Sequence, residues 1–140
     1  MNYFANAVPS FISVRGDQFA YDHTHTVTLR VMIQKVQPVR KHFKDGKLTC
    51  YSMDALIAMQ SGKYCVFCDD KFRCQKKLRL SMLDITQSQF QPLILDINQT
   101  SFESLENFIQ NVGDDRLHAT PVGLKIVYDE HDRRSIDFTE

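Results

Sequence analysis

The sequence predicts a mainly β fold with one helix, because several segments alternate apolar and polar residues while a single segment carries apolar residues at helical spacing. The chain has 140 residues, 43% of them hydrophobic and 24% charged, with only five glycines and four prolines. This composition is typical of one ordinary folded domain spanning residues 1–140, and it excludes disordered, collagen-like and coiled-coil chains.

The first half of the chain predicts strands separated by turns. Residues 1–24 predict one or two short strands. The sequence predicts a longer strand that starts at His25 and ends at Pro38, with a turn following at Asp45-Gly46. The buried face of this longer strand is predicted to consist of alternate residues: Val27, Leu29, Val31 and Ile33.

The second half predicts strands at residues 78–85 and 93–97, then a helix from Ser101 to Val112. Thr100 is the predicted N-cap, with Glu103 completing a capping box, and Gly113 is the predicted C-terminal cap. The helix carries an apolar stripe that should face the core: Phe102, Leu105, Phe108, Ile109 and Val112.

A hairpin of residues 122–128 and 134–138 closes the chain and brings the count to five or six strands with one helix. This count predicts a small barrel of the oligonucleotide/oligosaccharide-binding (OB) type, with a β-sandwich as the alternative. No run approaches the roughly 20 apolar residues of a membrane helix, and the start lacks a signal-peptide pattern, so we expect an intracellular protein.

The charge is unevenly distributed although the formal net charge is zero. Residues 30–80 contain twelve basic and four acidic residues, which gives this segment +8 and the remainder −8. Such a basic segment can hold a polyanion, and the alternative is a solvated face that binds nothing. The acidic tail, residues 129–140, suggests a second hypothesis: it folds back over the basic groove as an internal competitor.

All four cysteines lie within this basic segment: Cys50, Cys65, Cys68 and Cys74. Their C-x14-C-x2-C-x5-C spacing predicts a structural zinc ion held by four thiolates, which staples an insertion at about residues 48–77. A closed thiolate shell leaves no open position for catalysis. The alternatives are a redox C-x-x-C and reduced core cysteines.

Basic and aromatic residues are interleaved around the cysteines. OB-type barrels bind single strands by laying the backbone along a basic groove and stacking bases on aromatic rings. For each aromatic side chain, the alternative is packing around the metal or beneath a loop. The candidate nucleic-acid-binding residues are Arg30, Arg40, Lys41, Phe43, Lys44, Tyr51, Phe72, Arg73, Lys76, Lys77 and Arg79.

Four runs of the sequence, taken together, carry a resemblance to a known family: Cys50-Tyr51-Ser52-Met53-Asp54, Gly62 to Cys68 with Cys74, Leu78-Arg79-Leu80, and Thr100-Ser101-Phe102-Glu103-Ser104-Leu105. With these runs the chain resembles phage- and plasmid-borne OB-like proteins that carry a four-cysteine insertion. The resemblance covers roughly residues 27–128. It implies a largely sequence-independent single-stranded DNA-binding protein, with zinc at the cysteines, that serves replication or recombination of a mobile element in the cytoplasm of a bacterial host. Replication or recombination proteins are its implied partners.

We expect no catalysis. A deaminase needs His-x-Glu ahead of its Cys-x-x-Cys, and no histidine in this chain has glutamate two residues later. Asp22-His23-Thr24-His25 could suggest a nuclease metal site, but turn residues before a strand explain it better. The main rival function is a zinc-stabilised interaction module or inhibitor directed at a host nucleic-acid-processing complex.

Overall fold

The computed structural model describes residues 8–44, 47–52, 74–86 and 90–140; for residues 40, 42–44, 47–52 and 74 it describes the backbone alone. The strands are β1 Ser10–Phe11, β2 Ser13–Arg15, β3 Gln18–Tyr21, β4 Thr24–Thr26, β5 Thr28–Lys44, β6 Lys47–Ser52, β7 Cys74–Asp84, β8 Gln91–Ile97, β9 Pro121–Tyr128 and β10 Arg134–Thr139. The described part of the chain has one α-helix, α1 Phe102–Val112, with short 3-10 turns at Gln99–Ser101 and Leu117–Ala119. The prediction of a mainly β fold with one helix is confirmed.

The larger sheet has the strand order β1-β8-β7-β5-β9-β10, with β6 also paired to β5. Strands β9, β5, β7 and β8 form a Greek key, because three strands run back and forth and the fourth returns to pair with the first. The β1–β8 pair is parallel and the other pairs of this sheet are antiparallel. Strands β2, β3 and β4 form a separate antiparallel sheet.

One apolar core lies inside the larger sheet. Its members alternate along β5, β7, β8 and β9, as half-buried strands require. The small sheet contributes Phe19 and Tyr21, which are 0% and 5% exposed. Tyr21 donates a buried hydrogen bond from its hydroxyl to Asp84 Oδ2 at 2.7 Å, and Asp84 Oδ1 accepts from the backbone N–H of Thr86 at 2.8 Å.

Two predictions for the first half were wrong. Residues 8–26 contain four short strands instead of one or two. Val27 precedes β5 and is 49% exposed, so it is not part of the buried face, whereas the other three predicted residues are buried.

Strand β5 continues through Pro38 instead of ending there. It pairs with β9 over residues 28–32 and with β6 over residues 40–44, while residues 33–39 pair with β7 on the other side. Pro38 therefore lies where one edge of β5 has no described strand partner, and a residue without an N–H is tolerated at such an edge. The turn predicted at Asp45-Gly46 lies outside the described residues.

A β-bulge interrupts β5 between Ile33 and Lys35. The extra residue, Gln34, donates from Nε2 to the carbonyl of His118 at 2.8 Å. The bulge reverses which alternate residues of β5 face the core. Ile33 faces the core before the bulge, and Val36, three residues later, packs against the core after it.

The predicted helix is present, but its capping box is not. Helix α1 begins at Phe102 with Ser101 as N-cap, and no side chain bonds to the cap. The hydroxyl of Thr100 donates instead to the carbonyl of Arg134 at 2.9 Å, so it is engaged by β10. Leu105 and Phe108 of the predicted stripe are buried, and the other three members pack against the core.

The end of the helix and the closing hairpin agree with the sequence. Gly113 adopts φ 92° and donates its N–H to the carbonyl of Ile109 at 2.8 Å, as a C-terminal glycine cap does. Strands β9 and β10 pair antiparallel from Tyr128–Arg134 to Gly123–Thr139.

The helix among the described residues is too short and too polar to cross a membrane.

Candidate nucleic-acid interface

The outer face of β7 and β8 carries a cluster of charged residues above the core. Leu78 and Leu80 point towards the core from β7, so the alternate positions, Lys77 and Arg79, lie on the opposite face. Arg79 is the register partner of Asp96 in β8. Lys41 in β5 reaches this carboxylate from beyond β7.

Asp96 is the anionic centre of this cluster. Arg79 donates to it through both Nε and a terminal nitrogen, at 2.8 and 3.0 Å, and Lys41 Nζ lies 2.5 Å from Oδ2. The side chains of Asp96, Arg79 and Lys41 are 9%, 14% and 18% exposed. Burial acts to raise the pKa of Asp96, but the hydrogen bonds and charges of Arg79 and Lys41 outweigh it and hold this pKa below its usual range.

Lys77 is a third cation beside the ion pairs that Lys41 and Arg79 form with Asp96. It is half-buried and has no ion-pair partner among the described residues. Burial lowers its pKa, the positive charge of Lys41 lowers it further, and Asp96 opposes both. The cluster of Lys41, Lys77, Arg79 and Asp96, called here the cation cluster, thus has two more positive charges than negative ones.

An exposed aromatic ring adjoins the cation cluster. The guanidinium carbon of Arg79 lies 5.3 Å from the ring centroid of Phe11, within the range of a cation–π contact. Phe11 is 59% exposed. Sequence reasoning missed this residue, because the parallel pairing of β1 with β8 that brings it to Arg79 joins segments more than 80 positions apart.

The predicted nucleic-acid-binding residues fall into separate groups. Lys41, Lys77 and Arg79 belong to the cation cluster. Lys76 is exposed and is the register partner of Arg40, whereas Arg30 pairs with Gly123 of β9 at the opposite end of β5 and lies outside the cluster. The backbones of Phe43, Lys44 and Tyr51 belong to the β5–β6 pair, and Phe72 and Arg73 lie outside the described residues.

Two of the four cysteines occupy one row of the sheet. Cys50 in β6 and Cys74 in β7 are both register partners of His42, which stands between them in β5. Paired Cα atoms on antiparallel neighbours are about 5 Å apart, so those of Cys50 and Cys74 are about 10 Å apart. This exceeds the limit of about 7 Å for a disulfide. Cys65 and Cys68 lie outside the described residues.

The segment Asp22-His23-Thr24-His25 comprises a turn and the start of β4, and hydrogen bonds hold its first residue. Asp22 adopts φ 51° and accepts from the Ser10 hydroxyl at 3.0 Å and from Gln91 Nε2 at 2.8 Å. These two bonds lower the pKa of Asp22. Across the described ranges, no three metal-ligating side chains are grouped closely enough to hold an ion.

No family model matches the chain, and neither the curated proteins nor the solved structures contain a significant match.

Proposed function

We propose that this chain is a non-catalytic single-stranded DNA-binding protein of the OB type, largely indifferent to sequence, that serves replication or recombination of a phage or other mobile element. The supporting topology is the Greek key of β5, β7, β8 and β9, which β10 extends to five strands, with α1 between the third and fourth. OB-type barrels are five-stranded Greek-key barrels.

The observation that carries the proposal is the position of the cation cluster. OB-type barrels bind oligonucleotides on the face of their second and third strands, which correspond here to β7 and β8. That face presents Lys77 and Arg79, with the exposed ring of Phe11 beside them. Cations neutralise phosphates and an exposed ring stacks on a base, and neither interaction depends strongly on sequence.

The loop between the first and second strands of such a barrel also contributes to binding. Here it is the segment between β5 and β7, which contains three of the four cysteines. We propose that Cys50, Cys65, Cys68 and Cys74 hold a structural zinc ion in this segment. The separation of Cys50 and Cys74 is too large for a disulfide, and four thiolates suit zinc. Bound zinc would supply folding energy to the segment.

The test is a titration of a labelled single strand of about 30 nucleotides at two salt concentrations, with duplex DNA in parallel. Lys77→Gln should weaken binding several-fold and flatten the salt dependence, because one phosphate contact is lost. Lys125→Gln is the matched control, since Lys125 is an exposed lysine on β9. Phe11→Ala should weaken binding about tenfold, since base–aromatic stacking contributes on the order of 1–3 kcal/mol.

Absence of single-strand binding by a folded, zinc-loaded protein would contradict the proposal and favour the protein-interaction alternative. Equal weakening by Lys77→Gln and Lys125→Gln would also contradict it, because a general charge effect would then explain the binding.

A further inference from the structure

A cavity of about 380 Å³ lies between the edge formed by β1 and β8 and the edge of β10. It separates β8 from β10, which are not neighbours in the described sheet. On one side, β1 pairs with β8 and extends the contact through the N–H of Ile12, which donates to the carbonyl of Ile94 at 2.8 Å. On the other side, hydroxyls of Ser101 and Ser104 accept the N–H groups of Ile136 and Phe138 at 2.8 and 2.9 Å. These hydrogen bonds occupy part of each edge and do not join β8 to β10.

The walls of this cavity are cationic. Lys41 and Lys77 of the cation cluster line one side and Arg134 lines the other, and Asp96 is the one acidic residue that the described ranges contribute to the lining. The three cations exceed the carboxylate by two charges. Asp96 is already engaged by Lys41 and Arg79, so Lys77 and Arg134, which have no ion-pair partner in the described part of the chain, can contact an additional anion.

The other lining groups suit a nucleotide. Phe11 presents its exposed ring at the cavity, and small polar side chains supply hydrogen-bonding groups along the walls: Ser13, Asn98 and Ser135. The volume lies near the lower end of the range for small-molecule sites, about 300–1,000 Å³, which accommodates about one nucleotide rather than a run of several.

We propose that this cavity is a subsite for the terminal, phosphate-bearing nucleotide of a single strand, with the phosphate between Lys77 and Arg134 and the base against Phe11. The inference rests on the proposed function and deepens it, since it assigns one end of the strand to one place on the protein. Arg134 lies across the gap from the face of β7 and β8, so it distinguishes the subsite from the rest of the interface.

The experiment compares three oligothymidylates of about 12 nucleotides, with a 5′-phosphate, a 3′-phosphate or neither, by calorimetric titration of the full-length protein. One phosphorylated end should bind about tenfold more tightly than the unphosphorylated strand, because charge-assisted hydrogen bonds to phosphate are strong. The two phosphorylated arms identify which end is bound.

Arg134→Gln should remove this preference for a phosphorylated end, whereas Lys125→Gln should leave it unchanged. Equal affinity for all three strands would overturn the subsite while leaving the proposed function intact. A preference that survives Arg134→Gln would overturn it too.

Thymidine monophosphate serves as a separate probe of the cavity. Binding of this nucleotide without binding of any strand would overturn the proposed function and with it the assignment of a strand end to this cavity, because the cavity would then be a mononucleotide site. Failure of both the nucleotide and the strands to bind would overturn both.

Discussion

The backbone N–H of Ile136 donates a hydrogen bond of 2.8 Å to the hydroxyl of Ser101, a residue only 2% exposed. Ile136 lies in the edge strand β10, and Ser104 accepts from Phe138 two residues further along that strand. Exposed strand edges are templates for pairing with other chains. The start of helix α1 therefore takes the place of a neighbouring strand and blocks this edge.

Ser101→Ala should destabilise the protein by about 1–3 kcal/mol, because the N–H of Ile136 loses its partner in a buried position. Urea unfolding measures this change. Ser13→Ala is the control, since Ser13 is exposed on β2 and should change the free energy of unfolding by less than about 0.5 kcal/mol. Equal stability of the two variants would show that the hydroxyl of Ser101 does not satisfy the edge.

Tyr21→Phe should destabilise the protein by about 1–3 kcal/mol, since it leaves Asp84 Oδ2 without its buried donor. Burial and the hydrogen bond to Asp84 raise the pKa of Tyr21 above its ordinary value of about 10. A group with a raised pKa stabilises the fold below its unfolded-state pKa, and this stabilisation is lost as the pH rises through the folded-state pKa. Between about pH 9 and pH 11, the free energy of unfolding should fall more steeply in the native protein than in the variant. Parallel pH profiles of the two proteins would contradict the prediction.

Asp96→Asn should destabilise the protein by about 3 kcal/mol at neutral pH, because Lys41 and Arg79 lose their shared, largely buried counter-charge. The pKa of Asp96 is lowered in the folded protein, so its stabilising effect is present above about pH 4 and is lost as the pH falls through that lowered value. The stability difference between the two proteins should therefore shrink in acid. A difference that stays constant from neutral pH to about pH 2 would disprove this role.

The same substitution should strengthen binding to single strands, since it removes the anion that competes with phosphate for Lys41 and Arg79. The slope of log affinity against log salt should become steeper by about 0.7 for each additional phosphate that the protein neutralises. Measurement at a pH where both proteins are folded separates this effect from stability. Weaker binding by the folded variant would mean that Asp96 positions the cations rather than competing with the ligand.

Cys65→Ser should remove the proposed zinc ion and reduce protection of the β5–β6 pair from hydrogen exchange, because metal binding would stabilise that segment. The expected metal content falls from about one zinc per chain to none. Retention of zinc by the folded variant would contradict the four-thiolate assignment.

Much of the fold could be predicted from local pattern. Alternation identified β5, β7, β8, β9 and β10, and helical spacing identified α1, because each buries one face against a common core. The prediction that the strand ends at Pro38 was wrong because Pro38 is tolerated at a stretch of edge to which neither β9 nor β6 extends, and no local pattern records the extent of those pairings. The prediction of Thr100 as the N-cap was wrong for a similar reason, because its hydroxyl donates to the carbonyl of Arg134 in β10 and not to the first turn of the helix.

The site was predicted only in part. The density of basic residues drew attention to Lys41, Lys77 and Arg79, which the structure brings together, but charge counting could not show that Asp96 engages two of them. The place of Phe11 beside Arg79 depends on a two-residue parallel pairing between β1 and β8. Such contacts arise from tertiary packing rather than from the residues adjacent in sequence.

The bulge at Gln34 also determines the geometry of the distant cation cluster. A long, regular strand could slide by two residues against β7 and keep its apolar face inward, but an extra residue anchored to the His118 carbonyl fits opposite Met82 and Ser81 in one alignment only. Lys41 reaches Asp96 because of that alignment. Gln34 thus fixes the register of β5 against β7, and its deletion would displace Lys41 from the Asp96 carboxylate without changing any residue of the cation cluster itself.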